Sequence, residues 1–189
     1  MISTTQREQY SLEELGIELG DNEKIKSFTE EKFLEKFLLE NELVRDKDEN
    51  YYIFNEMYWK ELPQYELVKM LKKFMDSAKQ HLWKPHHEKS LLHYMKLEVL
   101  VVEELNPYRY IMPFKDFDFN FKTGLAEDKD SKKYFTYTKN YAEKEMEMET
   151  PVFDKLMNDI SQGDSNFKKY IIEVMAILIS GENKNNLVF

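Results

Sequence analysis

A short acidic segment carries the residue types that most often bind catalytic metal ions. Asp116 and Asp118 alternate with Phe117, Phe119 and Phe121 in the two-residue period of a half-buried strand. On a strand both carboxylates would lie on one face, where a nucleotidyl transferase could use them to hold Mg²⁺ or Mn²⁺. The interpretation we favour is a solvent-exposed acidic face opposite three buried phenylalanines.

Two other metal sites are disfavoured by residue spacing. Asp116, Asp118, Asn120 and Glu127 fit positions 1, 3, 5 and 12 of a calcium-binding EF-hand loop, but Phe121 stands where the loop requires glycine. The four histidines are clustered but lack an HxxxH or HExxH pair. They are His81, His86, His87 and His93. We expect them to be surface or helix-packing residues, and we predict no metal in this chain.

A group of lysines is the candidate contact for nucleic acid. Lys69, Lys72 and Lys73 lie on one predicted helix and Lys84 follows, with tyrosine and tryptophan nearby. Such lysines are more often the solvated face of a helix. The net charge of −9 also argues against a free-standing phosphate-binding surface. We therefore expect weak or no nucleic acid binding by the chain alone.

The composition describes a globular chain without a recognisable catalytic motif. Thirteen Phe, twelve Tyr and two Trp among 189 residues can fill a core. The chain has no cysteine, no GxxxxGK[ST] phosphate-binding loop and no GxSxG nucleophile motif, so we predict no cofactor. No signal peptide and no apolar run of membrane-spanning length are visible, which favours a cytoplasmic protein without membrane contact.

The first part of the chain predicts an arm followed by a helix. Residues 1–26 are polar and are expected to form a flexible arm, with a short helix at 12–15. Ser27 and Glu30 have the spacing of a capping box, which predicts a helix over 28–40. Together with the elements that follow, up to residue 105, this helix forms the predicted second segment, 27–105.

Three short runs, 43–45, 51–54 and 57–62, predict a small antiparallel β meander, and the second and third are rich in aromatic residues. Apolar side chains at helical spacing then predict helices over 64–79 and 85–105.

The predicted third segment, 106–149, contains a second short β hairpin and an acidic loop. The strand that carries the phenylalanines is expected to turn at 122–124 and to pair with residues 134–138. Residues 143–149 alternate acids with methionine and predict a solvated loop.

The predicted last segment, 150–189, contains two helices, 151–161 and 166–180, and a strand that begins at 187–189. The apolar stripes of the helices are expected to serve packing or oligomerisation. Their leading residues are Phe153, Leu156, Phe167, Ile171 and Val174. The predicted fold class is therefore α+β: mainly helical, with a small antiparallel meander, a second short hairpin and two C-terminal helices.

Six features occur in the same order as in a known family. They are Tyr51-Tyr52-Ile53-Phe54 running to Trp59, Ile111-Met112-Pro113-Phe114-Lys115 leading to Lys122-Thr123-Gly124-Leu125, Tyr134-Phe135-Thr136-Tyr137, Pro151 with Phe153 and Leu156, the helix of residues 173–180, and Leu187-Val188-Phe189. This order resembles the N-terminal module of phage, plasmid and poxvirus-type primase–helicases, which precedes a superfamily 3 helicase ATPase core.

The resemblance implies a function in the DNA replication of a mobile genetic element. The module would be non-catalytic and would assist ring assembly, DNA engagement or partner recruitment. Its partners would be the helicase domain of the same protein and other copies of itself, and ATP and Mg²⁺ would belong to the parent helicase. The chain would then end just before the ATPase domain. Two alternatives stay open: an acidic inhibitor or adaptor that binds a host protein through residues 143–149, and the nucleotidyl transferase that uses Asp116 and Asp118.

Overall fold

The computed structural model describes residues 10–145 and 148–180, and it confirms the predicted α+β fold class. The chain divides into two compact units. The first unit contains the chain up to Phe54 together with Lys60–Glu103. The second contains Asn55–Trp59 together with the chain from Glu104 onward.

The first unit opens with an ordered hairpin, whereas the sequence predicted a flexible arm over 1–26. Strands β1 (Ile17–Leu19) and β2 (Ile25–Phe28) pair antiparallel, and Leu15 and Ile17 are almost completely buried. The arm prediction was wrong for residues 10–26, because their few aliphatic side chains pack in or against the core. The polar composition of the segment as a whole gave no sign of this packing. The predicted short helix at 12–15 is a turn, and residues 1–9 lie outside the described residues.

Helix α1 (Glu30–Glu40) follows and buries Phe33, Leu34 and Phe37. The predicted capping box was wrong, since the helix begins after Thr29 and Ser27 lies in β2. The Ser27 hydroxyl donates to the Glu18 carboxylate across the hairpin at 3.0 Å. That hydrogen bond holds Ser27 in the strand ladder instead of at the helix start.

The predicted meander is present as β3 (Leu43–Arg45), β4 (Tyr51–Phe54) and β5 (Trp59–Leu62). Strand β5 begins two residues later than predicted. The side-chain oxygen of Asn55 accepts hydrogen bonds from the backbone N–H groups of Met57 and Tyr58, at 3.1 and 2.9 Å, and closes a turn there.

Helices α2 (Gln64–Ala78) and α3 (Pro85–Glu98) complete the first unit together with β6 (Leu100–Val101). The predicted helix over 85–105 was too long, because the chain leaves α3 after Glu98 and pairs parallel with β3. The Val102 N–H donates to the carbonyl of Arg45 at 2.8 Å. β-branched valines favour this extended conformation over a further helical turn.

The core of the first unit joins the three helices to the sheet and the hairpin. Its completely buried side chains include Leu15, Phe33, Leu34, Leu67, Leu71, Met75, Leu91 and Met95. The Phe74 ring packs edge-on against three other rings, those of Tyr10, Phe33 and Phe37, with centroid distances of 5.8, 5.3 and 5.5 Å.

Gly16 joins the first turn to β1 in a conformation that only glycine adopts easily. Its φ is +68°, and a Cβ atom there would lie 2.8 Å from the Thr29 carbonyl oxygen. We expect Gly16→Ala to lower the free energy of unfolding by more than the roughly 1 kcal/mol of left-handed strain, because a contact with backbone adds to it. Gly124→Ala is the matched control: its φ is +71° with nothing within 4 Å of the added atom. Equal losses in urea unfolding would contradict the steric argument.

The second unit contains a three-stranded antiparallel sheet of β7 (Ile111–Pro113), β8 (Phe117–Asn120) and β9 (Leu125–Asp128), with β8 in the centre. The predicted turn at 122–124 is present, and β9 follows it directly. The predicted pairing of this strand with 134–138 was therefore wrong.

Residues 134–138 form a loop that makes hydrogen bonds outside any ladder. The Phe135 carbonyl accepts from the Trp59 N–H at 2.7 Å, and the Thr136 N–H donates to the Asn106 side-chain oxygen at 2.8 Å. The segment has the aromatic and β-branched composition of a strand. In the folded chain these side chains serve packing instead, and Phe135 is almost completely buried.

The two predicted C-terminal helices are confirmed as α4 (Pro151–Ser161) and α5 (Ser165–Ser180). The acidic loop begins with a single turn of 3₁₀-helix at Glu143–Glu145. The predicted strand at 187–189 lies outside the described residues. No helix among the described residues combines the length and apolar character needed to cross a bilayer.

Candidate functional site

Asp118 is buried and paired with two lysines. Its side chain is 1% exposed, with the Lys129 Nζ 3.3 Å from Oδ1 and the Lys133 Nζ 3.0 Å from Oδ2. Lys133 also lies 3.0 Å from Glu127. The prediction of a solvent-exposed acidic face was therefore wrong for Asp118, because the segment after β9 brings two ammonium groups onto the central strand of the sheet.

The charges in this cluster compensate one another. Burial lowers the pKa of Lys129, and the carboxylate of Asp118 opposes that shift. Burial also works against the charge of Lys133, but the hydrogen bonds to Asp118 and Glu127 outweigh it and raise its pKa. The hydrogen bond from Asn120 and that from Lys133 lower the pKa of Glu127. The cluster is thus an internal ion-pair network around one buried carboxylate.

The structure does not bring Asp116 and Asp118 together as a pair of free ligands. Asp116 precedes β8, stays exposed, and accepts a hydrogen bond from the Glu143 N–H at 3.0 Å. A metal ion at Asp118 would have to displace two ammonium groups. Among the described residues, no group of three His, Asp or Glu side chains is placed to hold a metal ion.

The histidines separate into buried and exposed positions. His87 is 2% exposed, and its ring centroid lies 4.1 Å from that of His86. His81, His86 and His93 are exposed. Burial lowers the pKa of His87, so the ring is neutral at pH 7. His87 therefore belongs to the packed part of the first unit.

The four candidate nucleic acid lysines lie on two different elements. Lys69, Lys72 and Lys73 are exposed on α2, and the Lys69 Nζ lies 5.0 Å from the centroid of the Tyr65 ring. Lys84 is the residue that immediately precedes α3. Binding of nucleic acid by these residues stays a prediction.

The helical pair of α4 and α5 exposes much of its apolar surface. Of the residues predicted to serve packing or oligomerisation, Phe153, Leu156 and Phe167 are exposed, whereas Ile171 and Val174 are half-buried. Further exposed apolar residues on the pair are Val152, Ile160, Tyr170, Ile172, Met175, Leu178 and Ile179. The sequence holds the signal for them, because Glu173 is the one charged residue between Tyr170 and Ile179.

One feature of the first unit, a cavity, could not be predicted from the sequence. A cavity of about 400 Å³ lies in the first unit, next to His87. Its walls come from the β1–β2 hairpin, the start of α1 and the start of α3. Its lining residues Glu23 and His87 are 64 positions apart, so only the folded chain brings these segments together.

The sequence matches no protein-family model and none of the curated proteins with which it was compared. A functional assignment therefore rests on the geometry of the chain and on the order of its sequence features.

Proposed function

We propose that this chain is a non-catalytic assembly module of a primase–helicase that replicates a mobile genetic element. The helical pair of α4 and α5 contacts the ATPase domain of the same parent protein. The observation that carries the proposal is the exposed apolar surface of this pair.

Helix α5 has the composition of a helix whose surface is buried on most sides. From Tyr170 to Ile179 apolar side chains occur around most of the helix circumference, a pattern typical of a buried helix. In the described chain α5 packs mainly on α4. Leu178 and Ile179 remain 65% and 59% exposed. Burying an apolar side chain of this size contributes roughly 1.5–3 kcal/mol, so a partner surface would stabilise the pair strongly.

A clustered apolar surface differs from scattered apolar residues. Single exposed leucines are normal on soluble proteins, whereas contiguous apolar patches are typical of protein interfaces. On α4, Val152, Leu156 and Ile160 recur at four-residue spacing, which forms one stripe along the helix. This stripe and the outer face of α5 supply the contact that the proposal assigns to the ATPase domain.

The buried ion pairs support a module without bond chemistry of its own. A nucleotidyl transferase needs carboxylates that are free to bind metal ions. Asp118 is instead neutralised by Lys129 and Lys133. This arrangement favours a structural role for Asp118, although the transferase alternative requires the same carboxylate to bind a metal ion.

The proposal is tested with the ATPase domain of the proposed parent protein, prepared as a separate polypeptide. We expect this polypeptide to bind the chain, and we expect the double variant Ile172→Glu, Leu178→Glu to weaken binding at least about tenfold, since it places unpaired charges in the contact. Calorimetry measures the affinity. The control variant Leu39→Glu, Leu97→Glu alters residues on α1 and α3 that are at least as exposed, and it should bind like the parent chain.

Two results would contradict the proposal. One is unchanged affinity of the α5 variant. The other is a downstream sequence that lacks a GxxxxGK[ST] motif. Stoichiometric capture of a host protein by the chain, with no competition from an ATPase domain, would favour the inhibitor or adaptor alternative instead.

A further inference from the structure

The cavity of the first unit has the size of a small-molecule site. Its volume of about 400 Å³ falls within the range of ligand-binding cavities, roughly 300–1,000 Å³. Its apolar walls are formed by Ile25, Phe28 and Leu82, and its basic side chains include Lys24 and Lys84. Polar and charged residues form most of the lining, so the cavity suits a ligand with a charged group and a small apolar part.

His87 contributes a hydrogen-bond donor to the cavity. The Lys84 N–H donates to the His87 Nδ1 at 3.0 Å, and the His87 N–H donates back to the Lys84 carbonyl at 3.0 Å. Because Nδ1 of the neutral ring accepts, the proton is on Nε2. The described residues make no hydrogen bond to this Nε2. A ligand oxygen in the cavity would satisfy this donor.

The charges around the cavity leave two lysines available. Glu23 pairs with Lys79 at 3.1 Å, and Lys26 pairs with Glu18 at 2.6 Å. Lys24 and Lys84 have no carboxylate partner in the described part of the chain. The remaining carboxylate at the cavity, that of Glu30, accepts a hydrogen bond from the Ser90 hydroxyl. The unpaired groups are thus mainly cations.

We infer that this cavity binds a small organic anion, with its phosphate or carboxylate group held by Lys84, Lys24 and the His87 Nε2–H. The apolar body of the ligand packs against Phe28 and Leu82. A charged group held by ammonium and imidazole donors makes charge-assisted hydrogen bonds, which are the stronger kind. The inference is independent of the proposed function, because the site uses no residue of α4 or α5.

The test is an NMR titration of the full chain with phenyl phosphate. We expect saturable amide shifts at Phe28, Leu82 and His87, with a dissociation constant of about 1 mM or tighter for a ligand of this size. Phenol should cause no saturable shift, because it lacks the anionic group. Inorganic phosphate should bind more weakly, because it lacks the apolar body. Benzoate is titrated in parallel: tighter phenyl phosphate binding supports a phosphate ligand and tighter benzoate binding supports a carboxylate.

Three variants locate the site. Lys84→Met should weaken binding of phenyl phosphate about tenfold, whereas Lys89→Met, an exposed lysine of α3 outside the cavity, should leave it unchanged. His87→Gln keeps an acceptor for the Lys84 N–H but replaces the ring Nε2–H by an amide donor at a different position. It should therefore weaken binding severalfold without changing the thermal unfolding midpoint by more than a few degrees.

Other outcomes overturn the inference. Absence of a saturable shift would do so, and so would equal binding of phenol and phenyl phosphate. Equal weakening by Lys84→Met and Lys89→Met would mean that general charge, and not the cavity, attracts the anion. Unchanged affinity of His87→Gln would remove the role of the buried imidazole.

Discussion

Replacing Asp118 by alanine should lower the free energy of unfolding of the second unit by about 3–5 kcal/mol. The carboxylate is 1% exposed and neutralises two largely buried ammonium groups, those of Lys129 and Lys133. Its removal leaves Lys129 without a carboxylate partner and Lys133 with Glu127 alone. Both ammonium groups then lie in a partly dehydrated environment, where an unpaired ion is most costly. Urea unfolding followed by the fluorescence of Trp59, in a Trp83→Phe background, reports on this unit.

Two controls separate this effect from a general loss of charge. Asp116→Ala removes a neighbouring exposed carboxylate and should change stability by less than about 1 kcal/mol. The triple variant Asp118→Met, Lys129→Met, Lys133→Met removes all three charges and should recover most of the loss, because apolar residues can replace a buried ion cluster. A loss below about 1 kcal/mol for Asp118→Ala would show that the cluster is solvated.

Phe74→Ala should be the most damaging single truncation in the core of the first unit, with a loss of about 3–5 kcal/mol. The Phe74 ring joins the N-terminal segment to α1 and α2, because it packs edge-on against Tyr10, Phe33 and Phe37. Aromatic pairs of this geometry add to the burial of area alone. The fluorescence of Trp83, in a Trp59→Phe background, follows the urea unfolding of this unit.

The matched control for Phe74 lies on the same helix. Tyr65 is 60% exposed, and Tyr65→Ala should change stability by no more than about 0.5 kcal/mol. Similar losses for both variants would mean that helix propensity, and not packing around Phe74, determines the stability of α2.

Elements with a strong local pattern were predictable from the sequence. Leu67, Leu71 and Phe74 recur at helical spacing, and α2 lies within one residue of its predicted bounds. The β meander was also found, because charged turns separate its aromatic runs. In these segments local propensity and burial favour the same structure.

Elements that depend on distant partners were missed. Strand β6 continues the apolar spacing of α3, and only its parallel pairing with β3 makes it extended. Residues 134–138 have strand composition, yet β9 already occupies the edge of β8. In both cases tertiary contacts outweigh local preference.

The same distinction holds for the candidate sites. The apolar surface of α4 and α5 could be predicted, because it follows from helical periodicity within two neighbouring elements. The lysines that neutralise Asp118 lie 11 and 15 positions after it, across a turn and a further strand. The cavity near His87 collects residues from both ends of the first unit. No spacing rule connects such residues before the chain has folded.

The parallel pairing of β6 with β3 has a consequence for synthesis on the ribosome. Val44 faces Leu100, 56 positions later in the chain, so β3 keeps one unpaired side until that residue has been made. An open strand edge is a template for pairing with other polypeptides. Translation that stops between the two strands would thus release an incomplete sheet, and such products should be prone to aggregate or to be captured by chaperones.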